Sequence, residues 1–208
     1  MDLLPVKEGA GLDKMITTER KTSIRQELRN VRASMGVNEW RSGSLLIADR
    51  VFQMPEFCHA TSVMLYLSMN DRREVDTEPL IRRVAAAGNI RMFVPFSSGE
   101  ALCAVSFSEG DPVVPGRYGQ PEPASGRTCE HGVPDIVVVP AVAVDRKGRR
   151  LGYGKGYYDR FIAGLRKKGE TPFVLAPVFS FQLVSALPEE PWDEKLDGVV
   201  TEKEVLRF

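Results

Sequence analysis

Ile136 to Val139 is a short apolar, β-branched run that follows Pro134 and Asp135, the pattern of a buried strand. Ala141 to Val144 carries the apolar stretch past Pro140, and the chain then enters a glycine-rich segment, Gly148 to Arg160. Beyond it, Tyr158, Phe161, Ile162 and Leu165 recur at helical spacing, and Arg166, Lys167, Lys168 and Gly169 supply the cations and the stop signal of a helix C-terminus. The order strand, glycine loop, helix constrains the fold more than any other feature. It points backbone N–H groups and the positive end of a helix at whatever sits in the loop, and phosphate suits both.

The same alternation runs along the rest of the chain. Ile24, Leu28, Val31 and Met35 mark a first amphipathic helix, and Trp40, Ile47, Val51 and Met54 a second. Ser62 to Leu67 reads as a strand, Asp76 or Thr77 as the cap of a helix through Ala87 with Pro79 tolerated in its first turn, and Ile90 to Val94 as the next strand. Leu102 to Phe107, Phe173 to Val178 and Val199 to Val200 complete the strands. Alternating elements of this kind predict a three-layer α/β sandwich with a largely parallel, Rossmann-like sheet flanked by helices, its ligand crevice at the strand C-terminal ends. The Pro- and Gly-rich stretch from Glu109 to Pro134 has little periodicity; so long a loop is commonly functional, and closure over a ligand is expected of it.

The glycine segment itself dictates its chemistry. Gly152, Gly154 and Gly156 alternate, so the main chain can take positive φ and approach an anion with no Cβ in the way. Lys155 adds a mobile charge, Arg149 and Arg150 can neutralise further oxygens, and Asp159 falls in the first helical turn, within reach of a magnesium ion shared with phosphate. The segment is neither a Walker A loop, since Gly156 stands where Ser or Thr would follow the lysine, nor a GxGxxG fingerprint. Taken alone, a glycine-rich turn with a solvated basic flank is the competing reading.

RLGYGKGYYD, with DRKGR just before it, closely resembles the hallmark of the 5-formyltetrahydrofolate cyclo-ligase family. Three further segments resemble that family in the same order: KTSIR, Lys21 to Arg25, as its lysine-led nucleotide-binding helix start; YLSMNDRREVDTEPLI as its strand, substrate loop and helix; and EEPWDEKLDGVVTE, Glu189 to Glu202, as its C-terminal acidic segment. The resemblance covers about residues 20 to 203 and implies an ATP- and magnesium-dependent enzyme that converts 5-formyltetrahydrofolate to 5,10-methenyltetrahydrofolate with release of ADP and phosphate. It implies ATP contacts from Lys21, Thr22, Ser23, Ile24 and Arg25 and from Arg150, Leu151, Gly152, Tyr153, Gly154, Lys155, Gly156, Tyr157 and Tyr158, with Lys155 and Arg150 serving catalysis. Folate contacts fall to Leu67, Glu74 and Tyr153 to Tyr157, and magnesium to Asp159 and Asp193. The chain departs from the family in carrying Arg72 and Arg73 between Asp71 and Glu74, and Trp192 where many members have histidine.

Each of these residues has a plainer reading. Lys21 can be a solvated helix residue, although a cation in a first helical turn opposes the macrodipole unless an anion binds there. Glu74 can pair with Arg72 or Arg73, and Asp193 sits in an acidic run with Glu189, Glu190 and Glu194 that suits a solvated face. A relative acting on another metabolite, or a non-catalytic phosphometabolite binder, are the rival functions.

Composition narrows the classes. Lys plus Arg equals Asp plus Glu at 28 each, so no overall field favours nucleic acid or an acidic membrane. Cys58, Cys103 and Cys129 are widely spaced and odd in number, which indicates neither a disulfide framework nor zinc; buried or idle thiols are expected, and His59 and His131 read as surface residues. No apolar run approaches a membrane span, and the N-terminus lacks a secretory apolar core, so a cytoplasmic protein is expected; a monomer is the separate expectation for its assembly. Residues 1 to 18 read as a mobile extension before one α/β domain from 19 to 208.

Overall fold

The computed structural model describes residues 8–99, 101–124, 129 and 133–208, with side chains from residue 15 on. Three helices open the chain: α1 (Glu8–Ser34), α2 (Val37–Phe52) and α3 (Pro55–His59). Strand β1 (Ser62–Met64) leads through a 3-10 turn (Asn70–Arg72) to α4 (Glu78–Ala87), then β2 (Arg91–Ser98) and β3 (Ala101–Ser106). The hairpin β4 (Val113–Pro115) and β5 (Pro121–Pro123) precedes β6 (Ile136–Val138), β7 (Ala143–Asp145) and β8 (Arg150–Leu151). After α5 (Tyr157–Lys167) come β9 (Phe173–Pro177), a second 3-10 turn (Ser180–Gln182), β10 (Leu183–Val184), β11 (Gly198–Val200) and β12 (Val205–Arg207).

Seven strands form the main sheet in the order β12-β11-β9-β6-β1-β2-β3. The five inner strands are parallel, and the two edge strands pair antiparallel to their neighbours. Alternate residues of the inner strands serve two different cores, as a period of two demands. Val63, Ile136, Val138, Leu175 and Val200 pack with α2 and α4 residues such as Ile47, Val51, Leu80 and Val84. Met64, Val137, Val139, Val174, Ala176 and Val199 pack on the other side with Ile162 of α5. A sheet buried on both faces by helices is the expected three-layer α/β sandwich.

A small second sheet, β10-β7-β8, receives the inner face of α1 through Leu28, Val142, Ala143 and Leu151. Residues 1 to 7 of the expected extension lie outside the described residues, and residues 8 to 18 continue into α1. Lys21 therefore lies within α1 rather than at its start, away from the positive end of the helix dipole. No proline or glycine interrupts residues 12 to 34, so nothing local forces the helix to begin at Lys21.

Strand β1 is shorter than its apolar run. Its ladder reaches one residue further, the Leu65 N–H donating to the Phe93 carbonyl at 2.9 Å, and the chain then leaves the sheet to form the site. At α4 Thr77 occupies the N-cap position but its hydroxyl donates to the Tyr66 carbonyl at 2.7 Å, and it is the Asp76 carboxylate that accepts a helix N–H, that of Glu78 at 3.0 Å. Gly88, at φ +69°, ends the helix. Among the described residues no helix is long and apolar enough to cross a membrane.

The cysteines correct the sequence expectation. Cys103 and Cys129 are joined in a disulfide, while Cys58 is an exposed free thiol. Spacing along the chain concealed the pair, because the β4–β5 hairpin packs back on β2 and returns the chain to β3. His59 is exposed, as expected; His131 lies outside the described residues.

Candidate active site

The parallel strand order reverses at β1, which has β2 on one side and β6 on the other. Crevices in such sheets open at the carboxyl ends of the strands flanking that point. Here the chain leaving β1 supplies Leu67, Met69 and Glu74, and the chain leaving β6 supplies Pro140; all four line one cavity of about 460 Å³. The glycine loop between β8 and α5 closes it, and the hairpin segment contributes Tyr118, Gln120, Pro121 and Glu122. Of the long stretch expected over the ligand, these four residues reach the cavity, while residues 125–128 and 130–132 lie outside the described residues.

Gly154 and Gly156 show why the loop needs glycine. They adopt φ of +91° and +66°, which L side chains rarely take, and Gly156 is the N-cap of α5. Gly152 has no positive φ; a Cβ there would meet Arg150 Nη1 at 2.7 Å, so its reason is close approach. Asp159 lies in the first turn of α5, and its Oδ1 accepts from Arg150 Nη2 at 2.9 Å. Arg150 is also held by the Pro140 carbonyl at 3.2 Å and by the Tyr158 ring, 5.7 Å from its guanidinium carbon. The buried Arg150 Nε has no hydrogen-bond partner in the protein. An anion or water in the cavity is the natural partner for such a donor.

Helix α1 presents a mixed stripe to the site. Lys21, Arg25, Leu28 and Arg32 recur at intervals of four, three and four, one helical face. Lys21 is 5% exposed and donates to Glu190 Oε2 at 2.7 Å and Asp193 Oδ2 at 2.6 Å. Arg25 Nε donates to the Gly152 carbonyl at 2.9 Å, clasping the glycine loop to the helix. Burial pulls the Arg25 pKa below its ordinary value, against Asp193 and Glu190, which raise it. Thr22, Ser23 and Ile24, expected with them, do not line the cavity. The helix turns Thr22 and Ser23 outward, where both are exposed, and packs Ile24 on the small sheet.

Glu74 faces the cavity from the opposite wall and is 3% exposed. Its Oε2 accepts the Met69 N–H at 2.7 Å, and its Oε1 accepts from the Tyr153 hydroxyl. Burial raises its pKa above the ordinary value, while those hydrogen bonds and the charges of Arg32 and Arg72 pull it down. It pairs directly with neither Arg72 nor Arg73. Arg73 holds the left-handed conformation, φ 52°, and lies 5.3 Å from the Trp40 ring, whose Nε1 donates to the Glu74 carbonyl. The two arginines turn the chain so that Glu74 points inward.

Lys21, Arg25, Leu67, Glu74, Asp193 and every residue from Arg150 to Asp159 line this single cavity. Sequence reasoning missed Arg29, Met69, Arg72, Gln120 and Glu122. The polar stripe of α1 was the available signal for Arg29, whereas Gln120 and Glu122 depend on how the hairpin folds back.

Two carboxylates beside glycine-loop donors suit magnesium, which takes one or two carboxylates and completes its shell with phosphate and water. Asp159 and Asp193 fit that mode, each with one oxygen engaged by a cation. Among the described residues no group of three or more His, Cys, Asp or Glu could hold a metal by protein ligands alone.

The 5-formyltetrahydrofolate cyclo-ligase family model matches residues 17–202. The chain is 28% identical over 192 residues to the 5-formyltetrahydrofolate cyclo-ligase of Mus musculus, covering 88% of this chain and 93% of the relative. With that of Escherichia coli K12 it shares 33% over 165 residues, covering 76% and 87%. The solution structure of Aquifex aeolicus 5,10-methenyltetrahydrofolate synthetase superimposes with a TM-score of 0.74 at 31% identity, covering 90% of this chain and 92% of that one. With its fold, its glycine loop and its match over most of its length all in agreement, the chain belongs to the 5-formyltetrahydrofolate cyclo-ligase family.

Proposed function

We propose that the protein converts 5-formyltetrahydrofolate and ATP to 5,10-methenyltetrahydrofolate, ADP and phosphate. One observation carries this reading. A glycine loop with cationic partners and a buried carboxylate suited to a polar heterocycle edge face each other across one cavity.

A formyl group on nitrogen is an amide whose oxygen is a poor leaving group. In the proposed reaction that oxygen attacks the γ-phosphorus of ATP, the bond to the bridging oxygen breaks, and ADP departs. The N10 amine then attacks the activated formyl carbon, loses its proton, and the carbon–oxygen bond breaks to release phosphate. Both steps need in-line placement and charge neutralisation more than acid–base chemistry, which matches a site rich in Lys, Arg, Gly and Asp.

Lys155 is exposed at the loop, its ammonium 5.3 Å from the Tyr118 ring centroid, and suits the transferring phosphate. Arg150, pinned by Asp159 and Pro140, offers a pre-oriented guanidinium with little ordering cost on binding. Arg25 and the α5 N-terminus hold the remaining phosphate oxygens. Asp159 and Asp193 would hold magnesium, which when bound neutralises the phosphate charge. Glu74 accepts from pterin N–H donors, with Leu67 and Tyr153 offering apolar surface to the ring.

The test is near-UV absorbance of the methenyl product from purified protein, 5-formyltetrahydrofolate, ATP and Mg²⁺, beside Lys155→Ala and a magnesium-free control. Product that requires ATP and Mg²⁺ and is lost in the variant supports the assignment. Folded, nucleotide-binding protein that makes no product overturns it.

A further inference from the structure

Behind the Glu74 wall of the cavity lies Arg32 of α1, 2% exposed. Its Nε donates to the Arg72 carbonyl at 2.9 Å, and its Nη2 donates to the Tyr153 hydroxyl at 2.6 Å. The Tyr153 hydroxyl in turn donates to Glu74 Oε1. A guanidinium has no acceptor, so this relay has one direction: Arg32 occupies the phenol oxygen, and the phenol proton is committed to Glu74. The charge of Arg32 goes to a carbonyl and a phenol oxygen, and Glu74 balances it at one remove.

We propose that Arg32 is a positioning residue for Glu74: acting through Tyr153, it holds that carboxylate in one orientation and in its ionised form, so that both oxygens offer lone pairs to N–H donors of the ligand. The inference rests on the folate reading of the site. Without Arg32, a buried Glu74 tends to protonate, and a carboxylic acid presents a donor where the ligand has donors.

The groups facing Glu74 come from every element around it. Arg32 stands on α1, Tyr66 on the chain leaving β1, Arg72 in the 3-10 turn, Tyr153 in the glycine loop and Tyr158 on α5. Burial pushes the phenols of Tyr66, Tyr153 and Tyr158 above their ordinary range, so they remain neutral. Arg32 and Arg72 are the cations that pull the Glu74 pKa down, and Arg29 adds a third cation 5.9 Å from the Tyr153 ring centroid. Arg72 Nη2 is drawn toward the Tyr118 carbonyl at the cavity mouth, 3.1 Å away, whereas Arg32 is sealed behind the wall, where a charge is least screened.

The experiment follows the Glu74 carboxyl directly in the ligand-free protein, by NMR of 13C-labelled glutamate assigned through Glu74→Gln. Arg32→Gln raises the Glu74 titration midpoint by about one pH unit or more, a tenfold change in proton affinity, and Arg32→Lys stays near the wild type. In turnover, Arg32→Gln raises KM for 5-formyltetrahydrofolate about tenfold and KM for ATP less than about twofold. The acid limb of kcat/KM moves up with the NMR midpoint. An unchanged midpoint in Arg32→Gln, or a raised KM with an unmoved acid limb, overturns the proposal and leaves Arg32 a packing clamp. Should Arg32→Gln fail to fold, Tyr153→Phe decides the matter. It keeps the ring and deletes only the relaying hydroxyl, and an unchanged Glu74 midpoint there also overturns the proposal. Absence of turnover by the wild type defeats the folate reading alone, since the titration needs no substrate.

Discussion

At the scale of single residues, exposure separates function from stability. Lys155 is exposed and makes its contact with an aromatic face, so Lys155→Ala should lower kcat by about 10²-fold while moving Tm by no more than about 2 °C; steady-state kinetics and a thermal melt check the pair. Glu74 is the opposite case. Its folded pKa lies above the ordinary 4.5, chiefly because it is buried, so the folded state binds its proton more tightly than the unfolded state does. Stability from this group is present below pH 4.5 and lost as pH rises through the folded value. Denaturant unfolding across that window should show Glu74→Gln gaining on the wild type as pH rises; a pH-independent difference would contradict it. Glu74 and the glycine-loop residues were legible because short motifs carried them. Arg32 was not, since an arginine on a helix reads as solvated until packing shows which face is inward.

At the scale of elements, the glycine loop is held by backbone geometry that only a few residues accept. Gly154→Ala places an L residue at φ +91° and a Cβ 3.4 Å from the Arg25 guanidinium. It should cost about 1–2 kcal/mol of stability and raise KM for ATP, read from denaturant midpoints and initial rates. The disulfide belongs to this scale too. Thiol titration of the native protein should find one reactive thiol, Cys58, and full reduction should expose all three cysteines. Three thiols in freshly purified, non-reduced protein would remove the Cys103–Cys129 link. Inner strands such as Ile136–Val138 and Phe173–Pro177 were visible in the sequence because both their faces are buried and their runs are wholly apolar. The two-residue strands β8 and β10 and the edge strand β12 were not. Too short or too mixed to show a period, they exist because a neighbouring strand pairs with them.

At the scale of the whole molecule, the parallel order around β1 fixes where a crevice can open, and this followed from the alternation of elements. That Lys21 and Asp193, 172 positions apart, meet there was implied only by the family resemblance, because nothing local in the sequence marks such a contact. A ligand bound only by the assembled site should stabilise the whole domain. At about 100 times its Kd, ATP with magnesium contributes about 2.7 kcal/mol, a Tm rise of about 5–10 °C for a domain of this size. Thermal melts with and without nucleotide check it, and an unmoved Tm at saturating nucleotide would contradict an ATP site in the folded protein. The ion pairs of Lys21 with Glu190 and Asp193 also bear on biosynthesis. While the protein is being made, the lysine leaves the ribosome long before its acids do. A nascent chain therefore cannot close these ion pairs until Glu190 and Asp193 have been synthesised. On the proposed function, translation products that stop short of Glu190 leave Lys21 without its two acids and should not turn over ATP.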